Sequence, residues 1–248
     1  MEAILAGPRI SSSGAANVPL PHGPLYAAVQ SRSGEILQLL LRKGFTGLEY
    51  HSKIALCEAI RLREGSMVDM LLEAGVGIHD KAVCPRQQTA LQQAVESRDL
   101  DLIGRLLEAG VDVNQPPAAR FGGTALQLAA IHGQFRIARL LIENGANVNA
   151  PGSAVGGRTA LEAAAEYGRL DIAKMLLDQG FDSTSRQERV AYIQAMRYAI
   201  NRGHFSLQRM LHRHRTWTEQ DEYLDDNLVL QTEHATFYVE SNVLDLCA

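Results

Sequence analysis

Residues 123–150, "GTALQLAAIHGQFRIARLLIENGANVNA", contain two short helical patterns separated by one glycine and followed by a second. Apolar residues recur at helical spacing in both halves: Leu126, Ala129 and Ala130, then Ile137, Leu140, Leu141 and Ile142. Gly133 suits a tight turn and Gly145 a left-handed helix end, because glycine adopts that backbone at little cost. Thr124 is placed to cap the first helix. The stretch therefore predicts two short helices joined by a turn.

The same pattern recurs along the chain. Aligned on Leu126, the other copies have their equivalent residue, here called the anchor, at Leu25, Leu56, Leu91, Leu161 and Met196. Successive anchors are 31 and then four times 35 residues apart, and in five copies a glycine follows 19 residues after the anchor. One such unit cannot bury its apolar faces alone, whereas stacked neighbours can. The periodicity predicts an all-α solenoid of about six stacked helix-turn-helix units with short hairpin connectors.

The unit resembles the ankyrin repeat, whose pattern reads TPLHxAAxxGHxxVVxLLLxxGADVN. The copy at Leu126 matches nearly throughout, with Ala125 in place of proline and Gln127 in place of histidine. The resemblance covers residues 24–215 and is strongest from 88 to 183. "TALQ" and the connector "PGSAVGGRTA" are similar to ankyrin arrays of filamentous fungi. The resemblance implies the ankyrin fold and, as a general function, the binding of a protein partner.

Three departures from the pattern carry structural expectations. Arg32, Arg63 and Arg98 stand where the turn glycine belongs, which predicts strained or shifted turns. The 31-residue spacing predicts a shortened hairpin after the first copy. The degenerate sixth copy ends in "LHRHR" (211–215) and is interpreted as a C-terminal cap, with cations favoured by the helix dipole. The alternative is a basic nucleic-acid or metal patch.

The chain divides into three segments. Residues 1–19 lack periodicity and are predicted to be disordered, residues 20–215 form the array, and residues 216–248 form an acidic tail. The whole chain has a net charge of −4 and the tail, with eight acidic residues and no Lys or Arg, has −8, so the rest carries +4. That excess is too mild for a typical nucleic-acid-binding domain. The tail is as compatible with order as with disorder, and the charge segregation suggests that it folds back over the array and competes with partners.

Composition indicates an intracellular protein, cytoplasmic or nuclear. No run approaches 18 apolar residues, and the N-terminus lacks the features of a secretory signal. Cys57, Cys84 and Cys247 are scattered without metal-site spacing, which favours a reducing compartment, and Cys57 is expected to be a packed thiol. The sequence predicts no contact of this protein with a membrane.

No catalytic constellation is visible. The chain has no Walker A loop, no GxGxxG after a strand, no HExxH and no GxSxG. His132, Glu166 and Tyr167 superficially suggest acid–base chemistry, but an open groove excludes water poorly, so binding is the favoured role. The sequence predicts no enzyme activity, no cofactor, no metal, no small-molecule substrate and no direct nucleic-acid contact.

The resemblance also implies where a partner binds, because ankyrin-type stacks use their hairpin tips and the exposed ends of the first helices. The predicted partner-binding residues are Leu62, Glu96, Arg120, Phe121, Ile131, His132, Val155, Glu166, Tyr167 and Arg202. This mixture of aliphatic, aromatic and charged side chains is typical of an interaction hot spot. The alternative is that isolated exposed apolar residues have no role.

The function predicted from the sequence is that of a protein-interaction scaffold. Its rivals are a regulator of transcription that acts by binding a transcription factor, a targeting or regulatory subunit of an enzyme, and a remnant of a larger multidomain protein.

Overall fold

The structure is a computed structural model that describes residues 23–45, 49–76, 88–118, 122–181, 186–215 and 217, with only the backbone for 49–53. Within these ranges all regular secondary structure is helical, apart from one isolated β-bridge position at Val155. Residues 1–19 and the tail from 218 onward lie outside the described residues, so the expectations about them stay predictions.

The described residues form six pairs of antiparallel helices. The pairs are α1 (Pro24–Gln30) and α2 (Gly34–Arg42), α3 (Glu49–Leu62) and α4 (Gly65–Glu73), α5 (Ala90–Ser97) and α6 (Leu100–Glu108), α7 (Ala125–His132) and α8 (Phe135–Glu143), α9 (Ala160–Glu166) and α10 (Leu170–Asp178), α11 (Arg186–Asn201) and α12 (Phe205–His214). The first helices of the pairs, which carry the odd numbers from α1 to α11, stack on one another in chain order. The second helices, which carry the even numbers, form the other layer. The predicted all-α repeat array is confirmed.

The core lies between successive first helices. All six anchors are buried, and every copy has a buried alanine three residues later: Ala28, Ala59, Ala94, Ala129, Ala164 and Ala199. A methyl side chain lets two helix backbones approach closely without leaving a void. The second helices contribute one buried stripe each, such as Ile137, Ala138 and Leu141 of α8. The repeats therefore share one continuous core.

Capping boxes start three of the first helices. In α7, the Gln127 amide donates to the Thr124 hydroxyl over 3.3 Å, and the Thr124 amide donates to Gln127 Oε1 over 2.9 Å. Gln127 also reaches the next connector, where its Nε2 donates to the carbonyls of Ala150 and Pro151, each over 2.9 Å. In α5 the side chain of Gln92 bonds to the following connector in the same way. This glutamine thus joins one repeat to the next.

Replacing Gln127 by leucine should lower the free energy of unfolding by about 2–3 kcal/mol, because two connector carbonyls and the Thr124 amide lose their partner. Urea titration followed by circular dichroism measures the change. Gln38→Leu is the matched control, since Gln38 is exposed on α2 and its substitution should change stability by less than about 0.5 kcal/mol. Equal effects of the two variants would contradict the role of Gln127.

The turns between paired helices confirm the predicted strain. Arg32, Arg63 and Arg98 have φ values of 52°, 58° and 60°, in the left-handed region. Later copies have glycine here, and in repeats 4 and 5 a side chain of the next repeat lies close: a Cβ on Gly133 would lie 2.7 Å from Nε of Arg169. An arginine at position 133 would meet that side chain, so the glycine serves packing as well as backbone conformation.

Arg98→Gly should raise the free energy of unfolding by about 0.5–1 kcal/mol, because relief of the left-handed strain exceeds the entropy cost of glycine in the unfolded chain. The same substitution at Arg139, an exposed residue in the middle of α8, should lower it by about 1 kcal/mol. Chemical denaturation of both variants measures the pair of changes. A shared sign would show that backbone strain at position 98 is negligible.

Two first helices are longer than the repeat pattern predicts. α3 begins seven residues before Leu56. Residues 46–48 of the connector before it lie outside the described residues, so the shortened hairpin stays a prediction. α11 begins ten residues before Met196. The ring of its buried Tyr192 lies 5.7 Å from that of Phe181 and 4.8 Å from that of Trp217, measured between ring centroids. The Tyr192 hydroxyl donates to the carbonyl of Leu211 over 2.7 Å. These aromatic contacts close the end of the array, and the repeat pattern gave no sign of them.

Cys57 is buried, as expected, but the expectation of a thiol is wrong, since Cys57 is disulfide-bonded. Cys57 follows its anchor directly, as Gln92 and Gln127 do, and in α5 and α7 that position faces the next connector. Cys84 and Cys247 lie outside the described residues. The intracellular location stays a prediction.

Candidate functional site

The ends of the first helices form one continuous row, here called the strip. It consists of the two residues that precede each turn: Gln30 and Ser31, Arg61 and Leu62, Glu96 and Ser97, Ile131 and His132, Glu166 and Tyr167, Asn201 and Arg202. Because the first helices stack in order, the pairs follow one another from repeat 1 to repeat 6. The strip brings together seven of the ten predicted partner-binding residues.

A hydrogen-bonded cluster occupies the N-terminal end of the strip. The carboxylate of Glu58, whose side chain is 7% exposed, accepts from Nε of Arg61 over 2.8 Å and from Arg61 Nη2 over 2.5 Å. Gln30 donates to the same carboxylate and to the Tyr26 hydroxyl. The hydrogen bonds from Arg61, and then the charge of Glu58, raise the pKa of Arg61. The guanidinium is 56% exposed above a buried carboxylate, so the solvent-facing charge here is positive.

A second cluster occupies the C-terminal end. The carboxylate of Glu166, whose side chain is 10% exposed, accepts from Nε of Arg158 over 3.1 Å and from Nη2 of Arg202 over 2.9 Å. Arg158 also lies over the ring of Tyr198, 4.6 Å from its centroid. The hydrogen bond to Glu166 raises the pKa of Arg202. His204 of repeat 6 contacts the Glu166 carbonyl over 3.2 Å, so this cluster joins repeats 5 and 6.

The middle of the strip is less exposed than the sequence predicts. Leu62 and Ile131 are half-buried because their side chains pack against the core. His132 is also half-buried, and Glu96 accepts a hydrogen bond from Gln88 over 2.6 Å. Tyr167, which caps α9, is the exception, since 47% of it is exposed.

Tyr167 stands out among the exposed apolar side chains. Seven large apolar residues are exposed in the described part of the chain: Ile36, Leu39, Phe45, Tyr167, Leu170, Ile200 and Phe205. Five of them belong to repeat 1 or repeat 6, where one neighbouring repeat is missing. Tyr167 and Leu170 lie in repeat 5, which has a neighbour on both sides, and they flank the turn at Gly168. Their exposure therefore does not arise from the end of the stack.

The hairpin tips are described only in part. Arg120 and Phe121 lie outside the described residues, so their predicted role stays a prediction. Val155 is half-buried, and its carbonyl accepts from the Ser153 hydroxyl over 3.2 Å. Beneath this connector a cavity of about 450 Å³ extends to the first turns of α11 and to Glu162. Burial raises the pKa of Glu162, which occupies the capping-box position that glutamine holds in α5 and α7.

The arrangement suits recognition of another macromolecule better than chemistry. The strip is an extended surface with charges at its ends and an aromatic side chain between them. Within the described residues, no group of three or more His, Cys, Asp or Glu side chains is placed to hold a metal ion. No helix in those ranges is long and apolar enough to cross a bilayer.

The fold defines a helical repeat protein. The chain matches the family described as "Ankyrin repeats (3 copies)" over residues 25–117 and 91–187. It belongs to the ankyrin repeat family, whose repeats are generally non-enzymatic protein–protein interaction modules. No curated protein matches the chain.

Sequence reasoning found Glu166 and Arg202 but missed Glu58, Arg158 and Tyr198. A signal existed for Arg158, which precedes its anchor by three residues, as Gln88 does in repeat 3. In both copies this residue bonds to the glutamate eight positions later. Glu58 carries no such signal. Its partners are Arg61, three residues later in the same helix, and Gln30 of the preceding repeat.

Glu166→Ala should loosen the docking of repeat 6, because half-buried Arg158 loses its carboxylate. Amide hydrogen exchange in α11 and α12 should accelerate by about tenfold. Glu143→Ala is the matched control: its carboxylate lies 3.5 Å from Arg139, but it is 61% exposed, so exchange should change by less than about twofold. Unchanged exchange in the Glu166 variant would show that the cluster does not hold repeat 6.

Proposed function

We propose that the chain is a protein-interaction scaffold that binds a segment of another protein along the strip, on the concave face of the array, with Tyr167 as the main anchor. The predicted contacts at the hairpin tips extend this surface. The observation that carries the proposal is the exposed ring of Tyr167 in an interior repeat. Tyrosine is enriched among residues that dominate binding energy, because it offers a large contact area with few rotatable bonds.

The two ion-pair clusters hold the surface in place before a partner arrives. Glu166, the neighbour of Tyr167, is fixed by Arg158 and Arg202, and the main-chain amide of Tyr167 donates to the carbonyl of Ala163 over 3.1 Å. A surface that is already ordered loses little conformational entropy on binding. This supports binding to a rigid strip rather than by rearrangement of the array.

The charges indicate the chemistry of the partner. Arg61 and Arg202 are exposed near the two ends of the strip, at 56% and 60%, above carboxylates that are nearly buried. Half-buried Ile131 and exposed Tyr167 lie between them. The complementary segment carries acidic residues on both sides of an apolar or aromatic side chain, since opposite charges steer association and set the register.

Affinity purification with the full chain followed by calorimetry of the purified partner tests the proposal. Tyr167→Ala should raise the Kd by at least about tenfold, because the anchor is lost. Leu39→Ala is the matched control: Leu39 is 42% exposed on α2, away from the strip, and its substitution should leave the Kd within about twofold. Circular dichroism confirms that both variants stay folded.

Three results would overturn the proposal. One is a partner whose Kd is insensitive to Tyr167→Ala, which assigns the binding to another surface. Another is an equal loss in the Leu39 variant, which makes the effect nonspecific. The third is turnover of a substrate by the purified chain without a partner.

A further inference from the structure

A groove outside the strip lies between α10 and α12, the second helices of repeats 5 and 6. Its volume is about 410 Å³, and it is lined by Lys174 of α10 and by Ser206, Arg209, Met210, Arg213 and His214 of α12. The five residues of α12 recur at spacings of three and four, so they share one helix face. The groove is therefore a feature of regular helix packing and not of a loop.

The groove is basic. Lys174, Arg209 and Arg213 contribute three positive charges, and no carboxylate lies among its described lining residues. The neighbouring groove between α8 and α10, which Lys174 also lines, differs because Glu143, Asp171 and Asp178 add three carboxylates to it. Three like charges facing one concave space attract an anion.

The chain carries a complementary segment immediately after α12. Residues 219–226 contain five carboxylates, and no Lys or Arg follows in the remaining chain. The structure places Trp217, two residues before this segment: its ring packs edge-on against that of Tyr192, with the centroids 4.8 Å apart, and the Tyr192 hydroxyl donates to the Leu211 carbonyl in the last turns of α12. The tail therefore begins beside the helix that carries the groove.

The segment is long enough to reach every basic residue. Positions 206 to 214 of α12 extend over about 12 Å, whereas nine extended residues cover up to about 30 Å. A short tether of this kind raises the effective concentration of the segment to the millimolar range, roughly. The tether and the charges together favour the protein's own tail over an acidic segment of another chain.

We propose that residues 218–226 bind in the basic groove between α10 and α12 of the same molecule. The carboxylates of this segment pair with Lys174, Arg209 and Arg213. The tail then covers the second-helix face of repeats 5 and 6 and leaves the strip open to a partner.

Zero-length carbodiimide cross-linking of the full chain in dilute solution tests the proposal, because this reagent joins a carboxylate to an amine only where the two are in contact. The chain has four lysines, and Lys174 is the one in the groove. Mass spectrometry of the digested monomer should show Lys174 coupled to a carboxylate of 219–226. Lys43, at the exposed end of α2 in repeat 1, is the matched lysine and should not be coupled to the tail.

The charges of the groove provide a second comparison. Arg209→Glu/Arg213→Glu should lower the yield of the Lys174 link by at least about tenfold, and so should a rise in salt from about 50 to 500 mM, since both remove the attraction. Arg42→Glu/Arg136→Glu changes the net charge equally at exposed positions outside the groove and should leave the yield within about twofold. The wild-type comparison of Lys174 with Lys43 stands even where the groove variant fails to fold.

Any of the following results would overturn the proposal. A tail link to Lys174 no more frequent than to Lys43, or one unaffected by charge reversal and salt, shows that the groove does not hold the tail. A link found only in covalent dimers shows that the tail binds a second copy. Binding of a labelled single-stranded oligonucleotide that depends on Arg209 and Arg213, without any tail link, assigns the groove to nucleic acid.

Discussion

The burial of one first helix against the next is the interaction on which the structure depends. Most first helices are too short to be stable alone, and the buried anchor and alanine of each face water unless a neighbouring repeat covers them. The alanine three residues after every anchor sets the spacing of the stack. Gln92 and Gln127 then fix α5 and α7 to the connectors that follow them. Stability and shape thus pass from repeat to repeat through contacts between nearest neighbours.

The same stacking creates the surface. Regular spacing places the ends of the first helices in one row, and side chains of adjacent repeats pair along it. Arg202 and Glu166 are 36 positions apart in the chain, yet their side chains are 2.9 Å apart. Ion pairs so formed neutralise the buried carboxylates and leave the arginines facing solvent. The row therefore has basic ends, and Tyr167 lies exposed next to one of them.

The end of the array is built differently from its middle. The first helix of repeat 6 is twice as long as the pattern requires, and its Tyr192 packs between the rings of Phe181, at the end of repeat 5, and Trp217, which follows α12. Basic residues fill the last turn of α12, which the helix dipole favours. One of them, Arg213, lines the adjoining groove together with Arg209 and Lys174. The acidic residues that balance this charge come next in the chain.

The sequence by itself determined the number of repeats, the paired helices, the threonine caps and the left-handed turns. These features are local: the Thr124 cap, the Gly133 turn and the strained Arg98 each depend on backbone preferences within a few residues. Only the tertiary structure decided which side chains stay exposed and which find partners. Tyr167 and Ile131 both lie in the strip, yet one is exposed and the other packs against the core. Likewise, the buried carboxylate of Glu58 finds a partner in Gln30 of the preceding repeat. The repeat pattern does not encode such contacts, because they arise from packing between repeats and not from the backbone within one.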